Sequence, residues 1–187
     1  MIRTATINFF ASAAFLAALP AVAQEAMPHE GHQAASSASP ACTAPGTFPP
    51  ALAGWGQPHG TLTAAARPGA VRRAVLVPGH AVDATLLPTP DVRYAVAPAK
   101  PGGSVSFGGS FAFDVAEAGT YRVALSTHSW IDVIEGNVAL QSVAHGHGPA
   151  CTTLAKMVDY PLKPGRHVLQ VAANGEAAIS LMVAKLP

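Results

Sequence analysis

Two histidines, a cysteine and a methionine stand close together in "AHGHGPACTTLAKM", residues 144–157, of a chain otherwise sparing with reactive side chains. His145 and His147 are spaced i, i+2. On an extended segment such side chains share a face, so two imidazoles can bite one metal ion, zinc or copper. A pair alone holds metal weakly, and a further ligand has to come from elsewhere. His128, in "STHSW", is the best-placed third ligand; Asp132, His80 and Asp159 are weaker ones. Cys151 adds a thiolate only if unbridged, and Met157 suits only Cu(I), which prefers soft ligands. The same residues also have a plainer account. Gly146 and Gly148 permit a tight backbone path, and the histidines are then polar loop residues or contacts to a sugar.

"MPHEGH", residues 27–32, is a second candidate, bringing Met27, His29, Glu30 and His32 together. Imidazole and thioether ligands on a flexible segment can capture either oxidation state of copper. The motif occurs once, and an exposed polar tail accounts for it as well. Covalent catalysis has little support. There is no G-x-S-x-G elbow, and "HEGH" is one residue short of the H-E-x-x-H helix. Ser126, Ser129 and Ser142 lie near histidines in sequence, but serine is ordinary in sandwich loops. Asp114, Asp132, Asp159 and Glu176 fall at strand ends or turns, where solvation explains them. Trp55, Trp130 and Tyr94 offer flat apolar faces that suit a pyranose. Trp130, opening the alternating "WIDV", is the candidate ligand-binding aromatic, with core or rim packing as the other account.

The elements that carry these residues follow from composition and pattern. Arg3, the apolar run Phe9 to Leu19 and Ala21-Val22-Ala23 read as a secretory signal over residues 1–23, too short to span a bilayer. No later stretch is long and apolar enough to span. The protein is therefore expected to be exported, periplasmic or secreted. Residues 24–41, rich in Ala, Ser, Pro and Gln, read as a flexible leader, and 42–187 as one domain. Lys and Arg number 11 against 10 Asp and Glu, with no basic run, which disfavours nucleic acid as a partner. Charged residues make up only 11% of the chain, beside 17 Gly and 17 Pro, which points to a turn-rich β protein. Cys42 and Cys151 are the two cysteines, expected to pair in an oxidising compartment. The rival is a free Cys151 thiolate acting as nucleophile or metal ligand.

From Gly60 onward, apolar alternation and turn signals recur at short spacing. "TLTAAA", "AVLVP", "VDATLLP" and "VRYAVAP" are separated by Pro-Gly and Pro-Thr-Pro breaks. "SFAFDVAEAGTYRVALST" reads as a β-hairpin turning at Glu117-Ala118-Gly119, and "WIDVIEGNVALQSVA" as another around Gly136-Asn137. Residues 156–186 give three more strands, punctuated at Lys163-Pro164-Gly165 and Asn174-Gly175. The expected fold is all-β, an antiparallel jelly-roll-like β-sandwich of about eight to ten short strands.

The order "F-D-V…A-G-T-Y-R-V-A-L…W-I-D-V…P-L-K-P-G-R-H-V-L-Q-V", over residues 107–185, resembles small bacterial jelly-roll sandwiches of the pre-peptidase C-terminal type. The resemblance implies that the two strands around "AGTYRVAL" and "LKPGRHVLQV" face one another across the sandwich. His167 stands where that pattern usually has Tyr. The chain also resembles short exported bacterial proteins sharing "KPGGSVS", "AHGHGPAC" and "KMVDYPL" segments, some of which carry the label homogentisate 1,2-dioxygenase. That likeness implies a metal-dependent oxygenase. Enzymes of that activity are large cytosolic cupins with a two-histidine, one-carboxylate iron site, and their His-x5-Glu ligand spacing is not found here.

Three functions follow. The first is an exported, non-catalytic binding or accessory sandwich recognising a small ligand, a glycan or an envelope protein. The second is a zinc- or copper-binding protein using His145, His147 and His128. The third is the oxygenase.

Overall fold

The computed structural model describes residues 42–187. The signal segment, the leader and its Met27, His29, Glu30 and His32 lie outside the described residues. The early strands are short: β1 (Gly60–Thr63), β2 (Val75–Leu76), β3 (Val82–Thr85) and β4 (Leu87–Pro88). β5 (Phe107–Val115), β6 (Gly119–Leu125) and β7 (Trp130–Glu135) are longer, and β8 (Val138–Ala139) and β9 (Ala144–Gly146) are short again. β10 (Lys156–Leu162), β11 (Gly165–Asn174) and β12 (Ala178–Lys185) complete the chain. They form two sheets. The first runs β1-β3-β12-β6-β10-β9; the second runs β2-β5-β11-β7-β8, with β4 also against β5.

The all-β sandwich expected from the pattern is what the described residues form. Twelve strands appear, because several are only two or three residues long. Two pairings are parallel, β1 with β3 and β2 with β5, and the others are antiparallel.

Two expectations are corrected. β5 and β6 are not a hairpin: β5 lies in the second sheet beside β11, and β6 in the first between β12 and β10. Alternation dictates which face of a strand is buried, and a chain that crosses between sheets keeps both apolar faces on the shared core. Phe111, Phe113 and Val115 therefore meet Tyr121, Val123 and Leu125 across the sandwich instead of within one sheet. The second correction concerns "VRYAVAP", residues 92–98, which is not a strand. The Val92 and Arg93 N–H groups donate to the Thr89 and Ala66 carbonyls, and those of Ala95 and Val96 donate to a side chain instead of a strand. Gln170, 1% exposed on β11, accepts from the N–H of Ala95 and Val96 (2.9 and 3.2 Å) and donates to the Val96 carbonyl at 2.8 Å. The hairpin at Gly136-Asn137 does form, pairing β7 with β8.

The main core fills the space between the sheets, where Leu169 and Val171 of β11 oppose Ile179, Leu181 and Val183 of β12. β6 and β11 lie in opposite sheets. His167 is buried among these residues. It stacks on Phe113 with ring centroids 5.6 Å apart, and its Nε2 lies 2.9 Å from the Lys163 carbonyl, to which it donates. A second apolar layer covers the outer face of the first sheet, where Leu52, Trp55 and Leu154 pack on Ala124, Met182 and Ala184. Leu52 and Trp55 come from a short 3-10 segment, Pro50–Gly56, which wraps over that face. Trp55 Nε1 donates to Thr153 Oγ1 at 2.8 Å, joining the wrap to the loop after β9.

Cys42 and Cys151 are disulfide-bonded, closing a separation of 109 residues between the wrap and that loop. Beside the bond, the Gly46 N–H donates to the Cys151 carbonyl at 2.7 Å. A Cβ on Gly46 would lie 2.2 Å from the Ala150 oxygen, so this approach requires glycine. Cys151→Ser is expected to cost about 2–4 kcal/mol and to lower the thermal midpoint. Equal midpoints for variant and parent under oxidising conditions would contradict the bridge.

Candidate functional site

β7 is the last long strand of the second sheet, and side chains of β10 in the first sheet reach across to it. One side of it pairs with β11 along Trp130 to Ile134, while the other side pairs with β8 only at Ile134 and Glu135. Antiparallel geometry turns alternate carbonyls toward the open side, and each needs a partner. The Val133 carbonyl accepts the Leu140 N–H at 2.8 Å, the last contact from the hairpin. The next two are met by side chains from the opposite sheet. Tyr160 Oη donates to the Ile131 carbonyl at a long 3.4 Å, and Lys156 Nζ donates to the Ser129 carbonyl at 2.7 Å. Both donors belong to β10, whose inward positions also carry Val158 and Leu162.

This side-chain closure leaves a cleft of about 400 Å³ between the edges of the sheets. Ile131, Val158 and Tyr160 make its floor, and Trp130, Asp132 and Lys156 its polar wall. Gln141, Ser142 and His145 stand at the rim, on the chain between β8 and β10. The start of β7 is pinned from below. Asn174, 1% exposed beside an irregularity in β11, accepts from Thr127 Oγ1 and Ser129 Oγ through its Oδ1. That network sets where Trp130 begins. The Trp130 Nε1–H then donates to Asp132 Oδ2 at 2.9 Å, fixing indole and carboxylate against one another.

The charges in the cleft are held under strain. Burial pushes the Asp132 carboxyl above its ordinary range, while the Trp130 hydrogen bond and the Lys156 charge pull it back. Burial holds the Lys156 ammonium below its ordinary value; the Lys100 charge adds to that, and Asp132 opposes it. Burial raises the Tyr160 phenol as well, keeping it a neutral donor. Lys100, exposed and outside the cleft lining, approaches Trp130 from the loop after the segment that Gln170 clamps. Its Nζ stands 5.4 Å from the Trp130 ring centroid, and that of Lys156 stands 6.0 Å away, both within cation–π range.

The residues singled out from sequence are divided by the fold. Trp130 and His145 enter the cleft, and so does Asp132. His145, exposed on the edge strand β9, is on the cleft side because it pairs with Val158 on β10 and shares its face. His147, beyond the end of β9, instead meets His128 edge to face with centroids 5.5 Å apart. The expected trio is therefore split into a pair and a single residue. Among the described residues no three His, Cys, Asp or Glu side chains gather as a metal-holding group. The two-histidine, one-carboxylate set of the oxygenase reading accordingly has no counterpart among them. Asp159 is engaged by Arg122 through two hydrogen bonds of 2.7 and 2.8 Å. Cys151 is in the disulfide, and Met157 packs on the second apolar layer. His80 sits in the turn between β2 and β3. Of the two glycines in the loop, Gly148 is the one the backbone needs, since a Cβ there would lie 2.0 Å from the Leu154 oxygen.

Sequence reasoning missed Lys100, Lys156, Tyr160 and Gln170. A signal existed for Lys156: in "KMVDYPL" it shares the inward register of Val158, Tyr160 and Leu162, an odd place for an ammonium group.

No family model matches the chain, and no curated protein matches it. Among solved structures it is similar to the pre-peptidase C-terminal domain of collagenase from Bacillus anthracis. The identity is 14%, over 68% of this chain and 97% of that one, with a TM-score of 0.37. Among the described residues, no helix is long and apolar enough to cross a membrane.

Because Asp132 titrates higher in the fold than in the unfolded chain, ionising it costs the folded state. Stability tied to it falls as pH rises through the folded pKa, and nothing is lost below the ordinary value of 3.8. Asp132→Asn keeps an acceptor for Trp130 and is expected to raise the thermal midpoint at pH 7 by about 1–2 °C, with no gain at about pH 3. A midpoint at pH 7 that is unchanged or lowered would contradict the strained carboxylate.

Proposed function

We propose that this is an exported, non-catalytic β-sandwich binding protein that takes a saccharide in the cleft along the open edge of β7. One observation carries the reading: an aromatic ring, a carboxylate and an ammonium group are held together at a cleft otherwise floored by apolar side chains. Pockets that bind small molecules have this composition, largely apolar with a few placed polar groups. A pyranose has matching chemistry, with C–H faces for Trp130 and hydroxyls for Asp132, Gln141 and Ser142. The Trp130–Asp132 hydrogen bond preorganises two of these contacts before a ligand arrives, which lowers the cost of ordering them on binding. Export is supported by the apolar run ahead of Ala21-Val22-Ala23 and by the Cys42–Cys151 disulfide.

Zinc or copper binding is a second reading, favoured by the His128–His147 contact alone. Two imidazoles leave the rest of a tetrahedral shell to water or to other ligands, so uptake is expected to be weak. Zn(II) uptake that persists in His128→Ala/His147→Ala would rule this reading out.

The saccharide reading is tested by calorimetric titration of the protein with a panel of neutral and acidic oligosaccharides. Trp130→Ala is expected to weaken any binding by about tenfold or more, as removal of a central aromatic contact does. Affinity equal to that of the parent would place the ligand elsewhere.

A further inference from the structure

Asp132 and Lys156 balance within the cleft lining, and the exposed Lys100 adds a second cation beside the Trp130 ring, just outside that lining. Lys100 and Lys156 both stand over the ring of Trp130, at 5.4 and 6.0 Å from its centroid. Asp132 is the one carboxylate among the residues lining the cleft, and its Oδ2 already accepts from Trp130. Elsewhere on the described residues, four carboxylates are matched with cations: Asp83 with His59, Asp114 with Arg166, Glu117 with Lys185 and Asp159 with Arg122, while Asp91, Glu135 and Glu176 are in no such pair. Neither Lys156, which lines the cleft, nor Lys100, which stands over the same ring outside the lining, is in such a pair among the described residues. Lys156 uses one of its three N–H donors on the Ser129 carbonyl, which leaves two for a ligand.

Two ammonium groups gathered at one indole repel each other. Burial is the main cause that holds the Lys156 ammonium below its ordinary value, and the Lys100 charge adds to it. The Ser129 bond accounts for one Lys156 donor, but a neutral sugar would leave the Lys100–Lys156 repulsion in place. A ligand bearing an anionic group would relieve it, and charge-assisted hydrogen bonds in a partly buried cleft are about twice as strong as neutral ones.

Resting on the reading of the cleft as a saccharide site, we propose that its ligand is an acidic sugar of the hexuronate class, its carboxylate received by Lys100 and Lys156 at the face of Trp130. Asp132 then accepts a ring hydroxyl, and its negative charge disfavours a carboxylate placed in the reverse orientation. No bond is made or broken.

The test titrates the intact protein with trimers of galacturonate, glucuronate and mannuronate, with their methyl esters and with the corresponding neutral hexose trimers. The ester keeps the ring and hydroxyls and removes only the charge. At least one uronate is expected to bind about tenfold more tightly than its ester, and its affinity is expected to fall as salt rises from 20 to about 300 mM. Lys156→Met is expected to erase that difference, and Lys100→Gln to reduce it about threefold. The salt series on the unmodified protein keeps the inference testable if Lys156→Met fails to fold. Esters or neutral trimers binding as well as the uronates would overturn the acidic-sugar inference and leave the saccharide reading standing. No binding by any of the three sets would overturn both.

Discussion

The closure of the sandwich at β7 is the constraint on which the site depends. A strand at the rim of a sheet exposes carbonyls that must be paired, and such edges invite pairing with other chains. Here β8 covers only the far half of β7. The near half is closed by polar ends reaching across from the other sheet, Tyr160 Oη to Ile131 and Lys156 Nζ to Ser129. A further strand would have filled this gap with backbone. Side chains fill it only partly, and the remainder is the cleft. The same groups that end one sheet thus line the cleft.

Packing on the other faces holds this edge in place. Gln170 and the Tyr94 hydroxyl, which donates to the Val171 carbonyl at 2.9 Å, fasten the chain at residues 94–96 to the outside of the second sheet. That chain delivers Lys100. The 3-10 wrap and the Cys42–Cys151 bond hold the loop that leads from β9 into β10. His145 and Lys156 lie on the strands at either end of that loop. The disulfide is therefore coupled to the site without taking part in it. The charged groups in the cleft are less well solvated than they would be in water.

Alternation was enough to read the sandwich and most of its core, because period-2 patterns report which side chains are buried. It could not report which sheet a strand joins, so the chain from β5 to β6 reads as a hairpin although it crosses the core. It also overread residues 92–98, where alternating apolar residues meet a glutamine side chain instead of a neighbouring strand. Trp130 was legible as an aromatic at the head of a strand. His145 was legible as a displayed imidazole, but its neighbours in the fold differ from those its spacing suggested. The i, i+2 relation holds on an extended backbone, and β9 stops at Gly146, so His147 leaves the strand and rests on His128. Lys100, Lys156 and Tyr160 owe their roles to the opposition of two sheets, a long-range relation that no local spacing encodes.

The central claim, that ligand binding occurs along the open edge of β7, is tested most directly by backbone amide NMR of the isotopically labelled protein during titration with a saccharide it binds. The account expects the shifted resonances to cluster at residues 130–132, 140–145 and 156–160, with the indole N–H of Trp130 among the largest changes. Shifts centred instead on His128 and His147, or on the wrap at residues 43–57, with residues 130–132 unmoved, would contradict it.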